Sequence, residues 1–130
     1  MNNYNRDLDK NKANYIPLSP LTFIERIKDV YPNYEALIYG KRKYTWLDTY
    51  KRVIKFASAL EKIGIGQGDT VSIMAANTPE LFEAHYSIPM TGAVINTINT
   101  RLDSKTVAYI LKHSDAKALI VDRQFNKIVK

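Results

Sequence analysis

The side chains of this 130-residue sequence that could open covalent chemistry are its hydroxyls and its two imidazoles, because cysteine is absent. Ser58, Ser72 and Ser87 are candidate nucleophiles, and His85 and His113 are candidate bases. None of the serines stands in a Gly-x-Ser-x-Gly turn, and no histidine and acid follow in an order that reads as a triad. His85 falls one turn after Leu81 in a helical pattern, where a packed or capping imidazole is expected. Without thiols, a disulfide scaffold, a thiolate metal site and a cysteine nucleophile are excluded, and two histidines would need carboxylates to complete a metal cluster. The acids Glu80, Glu83 and Asp103 sit at or near helix starts, where the helix dipole accounts for them.

Backbone-based phosphate binding leaves no better signal. No Gly-x-x-x-x-Gly-Lys-Ser/Thr loop occurs, and Gly64-Ile65-Gly66-Gln67-Gly68 follows a helix and precedes a strand. That order is the reverse of what a phosphate on a helix N-terminus needs, so the three glycines read as a helix stop and tight turn. Lys41-Arg42-Lys43 is expected at a solvated hairpin tip. The nine tyrosines scatter over helix faces and strands and form no stacking platform for single strands. Taken alone, these residues assign no catalytic, cofactor-binding or metal-binding position.

The surrounding chain is that of a globular α/β domain. Hydrophobic residues make up 45% and charged residues 25%, too apolar for a disordered segment. The net charge of +6 is spread out, apart from the triplet at 41–43 and the last eight residues, which argues against nucleic acid as a partner. The first fourteen residues are polar, are expected to form a flexible arm over 1–14, and carry no signal-peptide pattern. Residues 84–100 form the longest stretch without formal charge, but Pro89, Gly92, Asn96 and Asn99 interrupt it, so no transmembrane segment is expected. These features imply a cytoplasmic domain over residues 15–130.

Periodicity places the elements. Ile16 to Pro20 is expected to be extended, followed by a helix opened by a capping box at Thr22-Phe23-Ile24-Glu25 and closed by Pro32. Residues 35–39 and 43–45 read as a hairpin. A second helix begins at Thr45 with Asp48 three residues on, and Trp46, Leu47, Tyr50, Val53, Ile54, Ala57, Leu60 and Ile63 mark its apolar face. Strands at 70–74, 93–97 and 117–121 alternate with helices that start at Asn77-Thr78-Pro79-Glu80 and at Asp103 or Ser104. Alternation from Thr45 onward predicts parallel β-α-β units with helices on the sheet faces. Arg123 to Lys130 begins another helix with no stop signal, and the sheet would present an unprotected edge, which together imply a chain cut within a domain.

Several segments, in order, resemble the N-terminal part of an AMP-forming acyl-CoA synthetase, a member of the adenylate-forming superfamily of AMP-binding enzymes. Asn14-Tyr15-Ile16-Pro17-Leu18-Ser19-Pro20-Leu21-Thr22-Phe23 is similar to the lead-in of the medium-chain fatty-acid–CoA ligases. Tyr44-Thr45-Trp46-Leu47-Asp48-Thr49-Tyr50 resembles the family's early helix start, and Gly66-Gln67-Gly68-Asp69-Thr70-Val71 its Gly-x-x-Gly-Asp-x-Val strand entry. Residues 77–102, NTPELFEAHYSIPMTGAVINTINTRL, resemble its Asn-x-Pro-Glu helix, its Gly-Ala-Val strand and its Arg-Leu. Ala76 departs from the family pattern, where proline often precedes the asparagine.

The resemblance implies the incomplete N-terminal part of the large domain, with parallel β-α-β units after an early hairpin. It also implies a reaction for the parent enzyme. A carboxylate attacks Mg-ATP to give an acyl-adenylate and pyrophosphate, and the CoA thiol then displaces AMP. Family members use a Thr-Ser-Gly-Thr-Thr-Gly loop, a downstream acid and a C-terminal lysine for this, and all three lie beyond the resemblance. The segment is therefore expected to supply scaffold, to bind no ATP, Mg²⁺ or CoA on its own, and to meet fatty acid and CoA only through the full-length enzyme. Some acetyl-CoA ligase relatives place basic residues near the CoA phosphate where Arg123 and Lys127 stand, although a solvated helix face explains both here. The alternatives are a non-catalytic interaction module, including one that docks on an intact ligase, and a nucleic-acid-binding α/β module.

Overall fold

A computed structural model describes residues 9–12, 15–16 and 19–129. The arm expected over 1–14 lies mostly outside them, as do Pro17 and Leu18 of the expected extended run. The first helix, α1, is Pro20–Val30. It starts ahead of the expected capping box. Ser19 caps it, its Oγ accepting from the Leu21 N–H at 3.3 Å, and Pro20 occupies the first turn, where its fixed φ fits and a backbone N–H is not needed. Thr22 is thus a first-turn residue, with Oγ1 donating back to the Ser19 carbonyl at 2.7 Å.

Strands β1 (Glu35–Tyr39) and β2 (Arg42–Thr45) form the antiparallel hairpin, turned by Gly40 at φ +59°. Helix α2, Trp46–Lys62, follows directly. Its capping box is complete: Thr45 Oγ1 accepts from the Asp48 N–H at 3.1 Å, and Asp48 Oδ2 accepts from the Thr45 N–H at 3.2 Å. Val53, Ala57 and Leu60 point inward, but Ile54 and Ile63 are 40% and 68% exposed. A step of one residue turns about 100° around a helix, which carries Ile54 off the stripe that Val53 heads.

The second sheet holds β3 (Thr70–Met74), β4 (Val94–Thr97) and β5 (Ala116–Val121), all parallel, in the order β4-β3-β5. Helix α3, Pro79–Met90, links β3 to β4, and α4, Ser104–His113, links β4 to β5. These two crossovers run in opposite directions across the sheet, so right-handed connections put their helices on opposite faces. Two cores result. Leu60, Ile65, Val71, Ile73, Ala84 and Ile88 fill the α2/α3 face. Met74, Ile98 and Val107 fill the other, with Leu119 and Ile110 against them. After β5 a 3₁₀ turn, Arg123–Phe125, leads into α5, Asn126–Val129, whose Ile128 and Val129 join the second core.

The glycine-rich turn between α2 and β3 is pinned rather than open. Asp69 Oδ2 accepts from the Gly66 N–H at 2.8 Å and from Lys117 Nζ at 3.0 Å, and that ammonium also donates to the Gly64 carbonyl at 3.0 Å. The Gly92 carbonyl accepts from the Gly68 N–H at 3.1 Å. Gly92 sits at φ +80°, and a Cβ there would lie 3.1 Å from Gln67 Cα. Both the backbone conformation and the close approach require glycine.

Gly92→Ala is expected to cost about 1–3 kcal/mol, through left-handed strain and the clash with Gln67; an unchanged melting temperature would count against this contact. Hydrogen bonds lower the pKa of three aspartates. The Gly66 N–H and then Lys117 act on Asp69, the Thr45 hydroxyl and then its N–H on Asp48, and the Thr106 N–H and then its hydroxyl on Asp103. Depressed carboxylate values stabilise the fold above the ordinary value near 3.8, and this contribution fades as pH falls through the lower folded value. Denaturant unfolding between pH 7 and pH 3 is expected to show stability falling at the acid end, with a shallower fall for Asp69→Asn.

Candidate functional site

In the order β4-β3-β5 the connection leaving β3 and the one leaving β4 run in opposite directions across the sheet, to opposite faces, which places the switch beside β3. Open α/β sheets bind ligands and partners beyond the carboxyl ends of the strands at such a switch. A cleft of about 790 Å³ opens there. Its floor is apolar: Phe56 from α2, Ile73 from β3, and Ile120 and Val121 from β5. Its rim is charged, with Arg42 from β2, Arg52 and Lys55 from α2, Glu80 and Glu83 from α3, and Asp122 and Arg123 after β5.

Two arginines and two glutamates organise the rim. Arg42 Nη1 donates to Glu80 Oε1 at 2.9 Å. Arg52 grips Glu83 with two hydrogen bonds, Nε to Oε1 at 2.5 Å and Nη2 to Oε2 at 3.0 Å, and lies 3.7 Å from Glu80. Its guanidinium stacks 4.8 Å from the Tyr44 ring centroid, and that of Arg42 lies 5.1 Å from Tyr39. Glu83 is 4% exposed, so its charge is buried and matched by a two-pronged partner. Burial pushes the Glu80 pKa upward, but hydrogen bonds from Arg42, from its own N–H and from Thr78 outweigh that and lower it. Lys55 and Arg123 are exposed and have no ion-pair or hydrogen-bond partner among the described residues.

The structure revises several expectations for these side chains. The triplet at 41–43 is exposed, but Arg42 reaches α3 and Lys43 Nζ donates to Glu35 at 2.8 Å, so it is a brace rather than a solvated tip. Glu83 is no helix-dipole residue, since it lies on the inward face of α3 with Ala84, Ser87 and Ile88. The signal was present: residue 83 stands four before Ser87, and Ala84 four before Ile88, at inward helical spacing. His85 is exposed rather than packed, with Nδ1 donating to the Leu81 carbonyl at 2.8 Å. His113 stacks on Tyr109 at 5.6 Å, far along α4.

The serines and histidines do not meet. Ser72 is buried and accepts from Asn96 Nδ2 at 3.0 Å, while Ser87 Oγ donates to the Glu83 carbonyl at 2.6 Å. Among the described residues no three histidine, aspartate or glutamate side chains are placed to share a metal ion, and no helix is long and apolar enough to cross a membrane. The arrangement can position a sheet and present a cationic, apolar-floored cleft. Among the described residues it holds no nucleophile beside a base.

A family model described as AMP-binding enzyme matches residues 24–130. The chain belongs to the AMP-binding enzyme family. Relatives in this family include an acetate–CoA ligase of Humulus lupulus, 51% identical over 119 residues, which cover 92% of this chain and 21% of that protein. A peroxisomal benzoate–CoA ligase of Arabidopsis thaliana is 46% identical over 124 residues, covering 95% of this chain and 21% of its own length. The fold matches an anthranilate CoA ligase solved with anthranoyl-AMP, with a TM-score of 0.84, 26% identity, and coverage of 92% of this chain and 23% of the other. The chain therefore spans about a fifth of the length of the curated relatives it matches. The expected α/β architecture, parallel β-α-β units behind an early hairpin, is the one these adenylate-forming AMP-binding enzymes share.

The Arg52–Glu83 pair generates a stability prediction. Arg52→Ala leaves a buried carboxylate without its cation and is expected to cost about 2–3 kcal/mol, less than a fully buried pair because Arg52 is partly solvated. Replacing both, Arg52→Met with Glu83→Leu, is expected to recover most of that loss in urea unfolding. Equal loss in the single and double variants would remove the pair as its source.

Proposed function

We propose that residues 15–130 form the N-terminal scaffold segment of an ATP-dependent, AMP-forming carboxylate–CoA ligase. The parent reaction converts a carboxylate, ATP and CoA to acyl-CoA, AMP and pyrophosphate. The observation that carries this reading is 51% identity to an acetate–CoA ligase across almost the whole chain, joined to a switch-point sheet of the same fold as a CoA ligase. The names of relatives specify acetate, butyrate and benzoate, which supports a small carboxylate substrate, a fatty acid by our reading.

The residues of this segment do not fit the parent's Mg-ATP. The cleft glutamates are already engaged by arginines, and the glycine-rich turn is closed on Asp69 and Lys117. No adenylation step is therefore assigned to any residue here. What the segment does is hold the hairpin, α2 and α3 in fixed relation to the carboxyl ends of β3 and β5, the kind of positioning that transfers between bound reactants require. Arg123 has no ion-pair partner among the described residues at that end, which is compatible with an anion but does not select CoA. The cysteine-free sequence fits a reducing compartment, the cytoplasm by our reading, while several relatives are peroxisomal by name.

The test is pyrophosphate release by the 130-residue protein with ATP, Mg²⁺, CoA and acetate, butyrate, octanoate or benzoate in turn. The expected result is no turnover above a protein-free control with any acid. Steady thioester formation by this chain unaided would overturn the scaffold reading.

A further inference from the structure

We propose that the outward face of α1 is a self-association surface, through which two copies of this chain pair antiparallel across a two-fold axis near Ile27. Helix α1 contributes no residue to the cleft, and its pairing is independent of the ligase reading.

Helix α1 buries Ile24 against the molecule and leaves a second apolar stripe facing out. Phe23, Arg26, Ile27 and Val30 stand at i, i+3, i+4 and i+7, the outline of a hole that receives a side chain from a facing helix. These four side chains and Tyr31 line a groove of about 250 Å³. Tyr34 extends the patch, its ring edge-on to that of Tyr31 at 5.2 Å. Other exposed apolar side chains stand singly, such as Ile63 just after α2, Val94 at the start of β4 and Tyr109 on α4. Scattered single residues are ordinary on a protein surface, whereas a contiguous apolar patch marks a place where a partner sits.

Area and shape name a second copy as that partner. Phe23, Val30, Tyr31 and Tyr34 are 57%, 53%, 50% and 67% exposed. Since an aromatic side chain buries roughly 150–250 Å², these four offer on the order of 400–500 Å² per chain. Two copies then cover about 1,000 Å², the lower bound for a specific interface. In an antiparallel pair the contacts are reciprocal, as a closed two-fold requires: Ile27 meets its own equivalent, and Phe23 faces the partner's Tyr31. Arg26 has no ion-pair partner among the described residues, and the pairing carries it toward the tyrosine end of the facing helix. Arginine lies on tyrosine elsewhere in this molecule, Arg42 at 5.1 Å from the Tyr39 ring and Arg52 at 4.8 Å from Tyr44.

Charge separates this occupant from the alternatives. Glu25, Arg26, Lys28 and Asp29 leave α1 neutral although the chain carries +6, and Lys28 is already held by Asp29 at 2.6 Å. Two neutral helices meet without the like-charge repulsion that Lys105 and Lys112 would bring to a pairing through α4. A helix that lies on a membrane surface carries an excess of lysine and arginine on its polar face, and α1 has none.

The experiment follows the 130-residue protein by sedimentation equilibrium across concentrations from about 1 to about 500 μM, the range of a small interface. A monomer–dimer equilibrium is expected, with a dissociation constant that moves less than about twofold between low and high salt because apolar contacts carry it. Phe23→Glu is expected to weaken dimerisation about tenfold or more, and Tyr109→Glu to leave it unchanged, with both melting curves close to that of the parent chain. The cysteine-free sequence permits a geometric check: Ile27→Cys is expected to give a disulfide-linked dimer under mild oxidation, and Tyr109→Cys to give no such link. A monomer at every concentration, a dimer indifferent to Phe23→Glu, no link through Ile27→Cys, or binding to phosphatidylcholine–phosphatidylserine vesicles in place of dimerisation would each overturn the proposal.

Discussion

β3 is paired on both sides and covered on both faces, and no other strand among the described residues is. Val71, Ser72, Ile73 and Met74 are all buried, and alternate residues enter different cores, Val71 and Ile73 toward α2 and α3, Met74 toward α4 and α5. Because right-handed connections leave β3 and its neighbour in opposite directions, the helices must part to the two faces, and the cleft opens where they part. Fold and site therefore have one origin. A strand buried in this way can carry few polar groups, and Ser72 is accommodated through the amide of Asn96, itself held in reach of Ser114 by the parallel register.

Around that strand, charge does two separate jobs. Short-range pairs lock turns: Asp48 and Thr45 at the start of α2, Asp69 with Gly66 and Lys117 below the sheet, Asp103 with Thr106 at α4. A longer-range network ties the hairpin to α2 and α3 through Arg42, Arg52, Glu80 and Glu83. The latter is the only route by which the two-stranded hairpin, which does not pair with the parallel sheet, is given a defined place at the carboxyl end of that sheet by ion pairs among the described residues. Burial of Glu83 makes the pairing obligatory, since an unpartnered carboxylate in that position would forfeit its hydration.

Among the described residues no nucleophile stands beside a base, and the chain spans about a fifth of the length of the curated relatives it matches. The chemistry-bearing side chains present here are spent on structure: Ser87 on its own helix backbone, His85 on the Leu81 carbonyl, the cleft acids on arginines. Of the rim cations, Lys55 and Arg123 have no hydrogen-bond or ion-pair partner among the described residues.

What the sequence by itself determined was local. Thr45 with Asp48, Thr78 with Pro79, and Asp103 declared the starts of α2, α3 and α4, because capping depends on residues within one turn of each other. Short β-branched runs marked the strands, Gly64 marked a stop, and the ordered motifs declared the family. Where competing local signals stood close together, at Ser19-Pro20 and Thr22-Glu25, the nearer cap and the proline won. Tertiary structure alone decided that Arg42 meets Glu80 across 38 positions and Arg52 meets Glu83 across 31. It alone left β5 as an edge beside an apolar cleft. Those outcomes depend on which elements become neighbours, a property of chain crossings and sheet order that no window of adjacent residues encodes.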